Sequence, residues 1–249
     1  MMKLITKILF PLCLLFPITT FGETMDDLVE RDGLFYKQFT DVPFTGEVTG
    51  KSRQGTIKNG KEQGPWVIYH DNGQLQGKGT YKDGKEQGPW VIYHDNGQLE
   101  IKGIYKDGKE EGLWVGYWEN GQLLTKGNYK DGISEGPQVS YYNNGQLMVE
   151  QTWKDGKREG PWTLYHPNGQ LWSQGEFKNG EKEGLWLAYH ANGQLKSEGN
   201  FKNGLEEGSW VHYYFNGQLE KKGIYKDGKG DGPWVRYSLD GSVSEQGED

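Results

Sequence analysis

Lys61 to Gly84 reads KEQGPWVIYHDNGQLQGKGTYKDG. Asn72-Gly73 and Asp83-Gly84 are dipeptides that favour positive φ at both central positions of a type I′ turn, and each is flanked by segments rich in Val, Ile, Tyr and Trp. The stretch therefore reads as two strands and two tight turns. Working outward, Asn-Gly-Gln-Leu occurs seven times, at Asn72, Asn96, Asn120, Asn144, Asn168, Asn192 and Asn216, always 24 residues apart. A period kept this strictly marks an array whose units stack on one another. Asn59-Gly60, Asp107-Gly108, Asp131-Gly132, Asp155-Gly156, Asn179-Gly180, Asn203-Gly204 and Asp227-Gly228 close the alternate ends. Consecutive hairpins without crossovers give an antiparallel meander, because parallel neighbours need a dozen or more connecting residues. The expected fold is all-β, an elongated single-layer antiparallel meander of 24-residue hairpin repeats with about sixteen strands. At about 9.6 Å per two-stranded unit, eight units would reach on the order of 75 Å.

A two-residue turn at Asn72-Gly73 places Asp71 opposite Gln74 and, further along the ladder, Trp66 opposite Gly79, whose missing side chain leaves room for the indole. The same register pairs Trp90 with Gly103, Trp114 with Gly127, Trp162 with Gly175, Trp186 with Gly199 and Trp210 with Gly223. In the fourth unit both members change together, to Gln138 and Gln151. Such a coupled exchange is internal evidence for the hairpin geometry. Alternation sends Trp66, Ile68, His70, Leu75, Gly79 and Tyr81 to one face, and Val67, Tyr69, Gln76, Lys78, Thr80 and Lys82 to the other. A bulge is expected at Gly64-Pro65, since Pro65, Pro89, Pro161 and Pro233 lack an amide hydrogen.

Residues 1–22 differ from all that follows. Lys3 and Lys7, the apolar run Ile8 to Ile18 and the small residues around Thr20-Phe21-Gly22 read as a secretory signal peptide cleaved near Gly22. The run is shorter than the roughly 20 residues of a membrane span. The chain would then be exported, with periplasm and extracellular medium both open. Residues 23–50 form an N-terminal cap and 51–249 the array, which ends in a polar C-terminal cap. The only cysteine, Cys13, lies in the leader, so thiol nucleophiles and thiolate metal sites drop out of the mature chain. Losing Lys3 and Lys7 takes the formal charge from -7 to -9. An acidic chain with no basic block is unsuited to nucleic acid.

Gly-x-Trp, then Tyr, then Asn-Gly-Gln-Leu, then Gly-x-Tyr-Lys-Asp-Gly closely resembles the MORN-repeat variant of bacterial proteins labelled YwqK-family antitoxins. Gly33-Leu34-Phe35-Tyr36 through Pro43-Phe44-Thr45-Gly46 is similar to their usual start, so the resemblance covers about Gly33 to Gly247. It implies a β-repeat fold and a role in protein interaction, dimerisation or phospholipid contact. The label also implies pairing with a toxin. Gln138 and Gln151 depart from the pattern.

Catalytic and metal chemistry finds no support in the residues. His70 and His94, like His166 and His190, hold equivalent positions, but equivalent sites lie about 9.6 Å apart, while zinc holds nitrogen at about 2.1 Å. Trp118, Tyr142 and Tyr214 fill the same position elsewhere, which reads as a half-exposed aromatic site. The acidic residues Glu62, Glu86, Glu110, Glu135, Glu159, Glu183 and Glu207 repeat one environment, whereas a catalytic pair needs two. Gly73 to Thr80 lacks the spacing and the following helix of a phosphate loop. No catalytic residue, metal or cofactor is therefore assigned. The remaining candidate is a tyrosine column, Tyr69, Tyr93, Tyr117, Tyr141, Tyr165, Tyr189 and Tyr213, continued by Tyr237, beside Lys78, Lys102 and Lys126. Such a stripe suits an extended protein partner. A membrane surface and a carbohydrate are the alternatives for the same aromatics.

Overall fold

The computed structural model describes residues 22–248, so the apolar run and Cys13 of the expected leader lie outside the described residues. From Gly46 to Glu248 the chain forms one antiparallel sheet of 20 strand segments, each laddered to its neighbour in sequence. Gly46–Thr49 and Val243–Glu248 are its outermost strands. No pairing joins these two, so the sheet stays open and does not close on itself. There are more segments than the sixteen strands expected because the ladder already begins at Gly46 and two long strands are interrupted, one at Glu159 and one at Asp231-Gly232. A separate hairpin, Leu28–Arg31 with Leu34–Lys37, lies before the sheet. Its Leu28 joins Phe44, Val48, Ile57 and Trp66 in a cluster that covers the first apolar end of the array.

The two kinds of hairpin end differ, which corrects the sequence reading at one of them. At the Asp-Gly ends both residues take positive φ, as at Asp83 (53°) and Gly84 (79°), and Lys82 pairs directly with Lys85. These are two-residue type I′ turns. At the Asn-Gly ends only glycine is left-handed, Gly73 at 81°. The His70 carbonyl accepts the Gly73 N–H at 2.8 Å while the His70 N–H donates to the Gln74 carbonyl at 2.8 Å. This is a three-residue loop, a type I turn closed by a left-handed glycine. Asn72 favours it because its Oδ1 accepts the Gln74 N–H at 2.9 Å, which holds its own backbone on the right-handed side.

The loop is thus one residue longer than the sequence reading allowed, yet Trp66 still pairs with Gly79. Tyr69 pairs with Leu75 and Ile68 with Gly77, so Gln76 bulges out and restores the register that the longer loop had shifted. The bulge expected at Gly64-Pro65 is also present. Gln54 pairs with Val67 and Thr56 with Gln63, leaving Gly64, Pro65 and Trp66 opposite Gly55 alone, with Gly64 at φ 72°.

Candidate functional site

The aromatic face shows how a single-layer sheet buries tryptophan. Trp66, Trp90, Trp114, Trp186 and Trp210 are all buried, Trp66 to 1% exposure. The Cα register is the expected one: Trp66 with Gly79, Trp90 with Gly103, Trp114 with Gly127, Trp162 with Gly175, Trp186 with Gly199 and Trp210 with Gly223. The glycine that seats each indole is a different one, however. A Cβ on Gly79 would lie 2.1 Å from the ring of Trp90, one on Gly103 2.2 Å from Trp114, and one on Gly199 2.1 Å from Trp210. These indoles therefore lie over the glycine of the preceding strand, because the bulge just before each, at Gly88-Pro89, Gly112-Leu113 and Gly208-Ser209, swings the ring that way. Between the indoles stand the rings of Tyr81, Tyr105 and Tyr129 and, further on, Phe177, Phe201 and Tyr225. Contacts such as Tyr81 to Trp90, at 5.1 Å and 85°, are edge-to-face. Each stabilises by about 1 kcal/mol beyond its buried area.

The stack breaks at the fourth unit. Gln138 pairs with Gln151, and the Gln151 Nε2 donates to the Gln138 Oε1 at 2.8 Å; Trp153 Nε1 donates to the same oxygen at 2.7 Å. The side chain at Gln151 fills the place where the indole of Trp162 would lie. Trp162 instead tilts against Trp186, with centroids 5.2 Å apart at 33°. Arg158 Nε donates to the Gln151 Oε1 at 3.0 Å and its guanidinium stands 5.2 Å over the Phe177 ring.

Charged side chains border the rings on this face. Glu62 and Glu86 flank Tyr81, whose hydroxyl is pushed up to about 12 by burial first and by those carboxylates second. Burial, then Glu110, also raises the Tyr105 hydroxyl. Cations stand over the phenylalanine rings, Lys182 lying 4.7 Å from Phe201, which also pairs with Glu206, and burial lowers the Lys182 ammonium. The Tyr81 shift has a definite sign. The phenol is protonated in both states below about pH 10, and between there and about 12 the unfolded chain ionises first. Stability should fall as pH rises through that window. Urea midpoints followed across it should show a shallower fall for Tyr81→Phe than for the parent chain.

The histidine column has a structural job. His70 Nε2 lies 2.9 Å from the Tyr93 carbonyl, His94 Nε2 2.9 Å from Tyr117 and His190 Nε2 2.9 Å from Tyr213. His166 makes the same contact to Tyr189 at 3.2 Å. Trp118 Nε1, Tyr142 Oη and Tyr214 Oη donate to the corresponding carbonyls. What the position requires is a ring bearing a donor that reaches the next unit. A carbonyl only accepts, so Nε2 of each histidine carries hydrogen and has no lone pair for a metal. The half-exposed surface site read from the sequence is instead a half-buried inter-unit bond. Among the described residues, no group of three or more His, Cys, Asp or Glu could hold a metal ion.

Asparagine links units in the same way. Asn72 Nδ2 donates to the Asp95 carbonyl at 3.1 Å, and Asn96, Asn120, Asn144, Asn168 and Asn192 repeat the contact. Each uses its oxygen within its own turn and its nitrogen across to the next. Asn120→Asp keeps the first bond and loses the second, so thermal unfolding should report a loss of about 1 kcal/mol.

The acidic column divides into two. Glu135, Glu159, Glu183 and Glu207 accept the N–H that opens a type I′ turn 20 residues on, a role taken by Gln63, Gln87 and Glu111 in the first units. Glu62, Glu86 and Glu110 occupy the adjacent position, where Glu62 pairs with Arg53 at 2.6 Å and its carboxyl is raised by burial.

Tyr69, Tyr93, Tyr117, Tyr141, Tyr165, Tyr189 and Tyr213 are all half-buried. Tyr165 Oη donates to Glu150 and Tyr213 Oη to Glu198, each at 3.3 Å, and Lys102 Nζ lies 5.8 Å from the Tyr117 ring. Glu150, Glu198 and Lys102 face Thr163, Val211 and Val115 across the ladder, on the side away from the tryptophans. No second layer of strands or helices is stacked on that face among the described residues.

A family model described as MORN repeat variant matches residues 62–83, 86–107, 110–131, 134–155, 158–179, 182–203 and 206–227. No curated protein matches the chain. Among solved structures it is similar to that titled "Crystal Structure of TcdB2-TccC3", at 15% identity over 79% of this chain and 13% of that one, with a TM-score of 0.21. It is also similar to the TcdB2-TccC3-Cdc42 structure, at 14% identity over 89% of this chain and 15% of that one, again with a TM-score of 0.21. The chain spans 13% and 15% of the length of those two chains.

Proposed function

This chain belongs to the MORN repeat variant family, and on that premise we propose that it is a non-enzymatic scaffold holding a protein partner against the tyrosine-bearing face of its sheet. One observation carries the reading. The same face repeats a half-buried tyrosine in every unit, beside valine and long charged side chains, and no second layer is stacked on it among the described residues. Tyrosine offers a large contact area at low entropic cost, which is why it anchors interfaces. An antitoxin pairing with a toxin is a special case of this reading, and it rests on the family resemblance alone. Export rests on the character of residues 1–22.

Tyr117, Tyr141 and Tyr165 changed together to Ala should abolish capture of the partner by immobilised protein while leaving the β-sheet circular dichroism unchanged. The ring bonds that reach these residues from neighbouring units end on their backbone carbonyls, which alanine keeps, and the side-chain bond lost is the exposed one from Tyr165 Oη to Glu150. Undiminished capture by the triple variant would refute the assignment of that face.

A second reading is favoured by the Asp-Gly edge. Lys58 faces Lys61, Lys82 faces Lys85, Lys106 faces Lys109, Lys154 faces Lys157 and Lys226 faces Lys229, all exposed and none in an ion pair among the described residues. Like charges directly opposite destabilise a ladder. An anionic membrane surface laid along this edge would relieve that repulsion. Flotation with vesicles containing anionic lipid distinguishes the readings, since the protein scaffold stays in the soluble fraction.

A further inference from the structure

We infer that a cleft over Gly116, on the Asn-Gly edge of the second to fourth units, takes the guanidinium or ammonium head of an arginine or lysine presented by a protein partner. The inference rests on reading the chain as a protein scaffold; Gly116 and His94 hold the positions of Ile68 and His70, so the cleft opens on the tryptophan side at the Asn-Gly edge and gives the partner a second contact besides the tyrosine face. The cleft has a volume of about 540 Å³ and is lined by residues that include His94, Glu100, Gly116, Trp118, Leu124 and Thr125. That size lies within the range of small-ligand sites.

The cleft exists because the repeat changes here. Equivalent positions to Gly116 carry Ile68, Ile92, Ser140, Leu164, Ala188 and His212, so glycine removes a side chain that every other unit supplies. Gly116 is buried between Ile101 and Thr125, its partners on the two flanking strands. At the position of Leu124 the first two units have Gln76 and Glu100, so one wall becomes apolar in the same place. Met148 and Trp172 keep that position apolar in the next two units, so the floor at Gly116 is the feature that is unique to this place.

Charge selects the occupant. Glu100 and Glu119 line the cleft, and no lysine or arginine does. The His94 ring donates through Nε2 to the Tyr117 carbonyl, which turns Nδ1 toward Glu100 Oε2 at 4.0 Å. Two carboxylates and the indole of Trp118 suit a cation, and Leu124 with Ile101 suits the methylene stem behind it. A neutral sugar gains nothing from those carboxylates, and a carboxylate-bearing ligand is repelled by them.

Titration of the full chain with acetyl-arginine methylamide, followed by the amide resonance of residue 116 and the indole N–H resonance of Trp118, tests this directly. The arginine compound should bind at least fivefold more tightly than its citrulline counterpart, which has the same length and no charge. Gly116→Ile, which installs the residue of the first two units, should lose binding with an unchanged circular dichroism spectrum. A Cβ there meets the Thr125 methyl at 3.1 Å and, at ordinary contact distance, the Glu100 carbonyl oxygen at 3.7 Å. Because even that variant could disturb the sheet, Glu100→Gln with Glu119→Gln gives an independent arm, expected to bring arginine binding down to the citrulline level. Equal binding of the two compounds, or arginine binding that survives both variants, overturns the inference. The small probe reports the cleft whether or not the tyrosine face captures a protein. Failure here with the triple tyrosine variant still losing capture removes only the cleft, and the reverse pattern removes only the face.

Discussion

Gly79→Ala should cost about 3 kcal/mol or more, whereas Gly127→Ala, at the equivalent position two units on, should cost less than about 1 kcal/mol. The two sites have the same backbone role and differ in what lies above them. A Cβ on Gly79 falls 2.1 Å from two atoms of the Trp90 indole, a distance no real Cβ reaches. Trp90 is 6% exposed, wedged between Tyr81 and Tyr105, and its Nε1 donates to the Thr80 carbonyl at 3.3 Å. It cannot retreat without breaking two edge-to-face contacts and that bond. Above Gly127 the nearest atom is Gln138 Cγ at 2.9 Å, part of an unbranched side chain that can swing aside. Urea unfolding of both variants measures the contrast. Equal losses would mean that the indole seats do not hold the array together.

The second large effect is a coupling. Gln138→Trp and Gln151→Gly made together should be more stable than the sum of the two single changes by about 2 kcal/mol. Gln138→Trp alone finds its seat at Gly127 but strands the Gln151 amide, which now donates to the Gln138 oxygen. Gln151→Gly alone frees the place of Trp162 but leaves Gln138 with Trp153 as its single donor and takes from Arg158 its acceptor. Only the double change rejoins the stack ending at Tyr129 to the one beginning at Trp162. A double-mutant cycle by thermal unfolding gives the number directly. Additive single effects would show that the two glutamines are neighbours without being partners.

Much of the architecture was legible because the repeat carries its own controls. Trp66 could be paired with Gly79 from sequence since seven copies shared one spacing and the exception, Gln138 with Gln151, changed in both places. The pairing was reached through an incorrect turn. A longer loop at Asn72 and a bulge at Gln76 cancel in the register, and sequence spacing reports only their sum. The seat of each indole was misplaced for a related reason: register says which backbones face each other, and the bulge at Gly64-Pro65 decides which way the ring leans. The role of the histidine column was missed although a signal existed. His, Trp and Tyr share little except a ring with a polar hydrogen at its far edge, and that shared property points to a donor. The cleft at Gly116 had only a weak signal, one glycine where other units have larger side chains.

The amino-acid sequence alone determined that this chain is an antiparallel array of 24-residue hairpins with one buried aromatic face, because turn chemistry and alternation act over a few residues and were repeated without a break. The three-dimensional arrangement decided which glycine carries which tryptophan, which side chains bond from unit to unit, and where a cleft opens between strands. Those outcomes depend on the tilt of side chains across neighbouring strands. Bulges set that tilt, and its consequences appear only once several strands lie side by side.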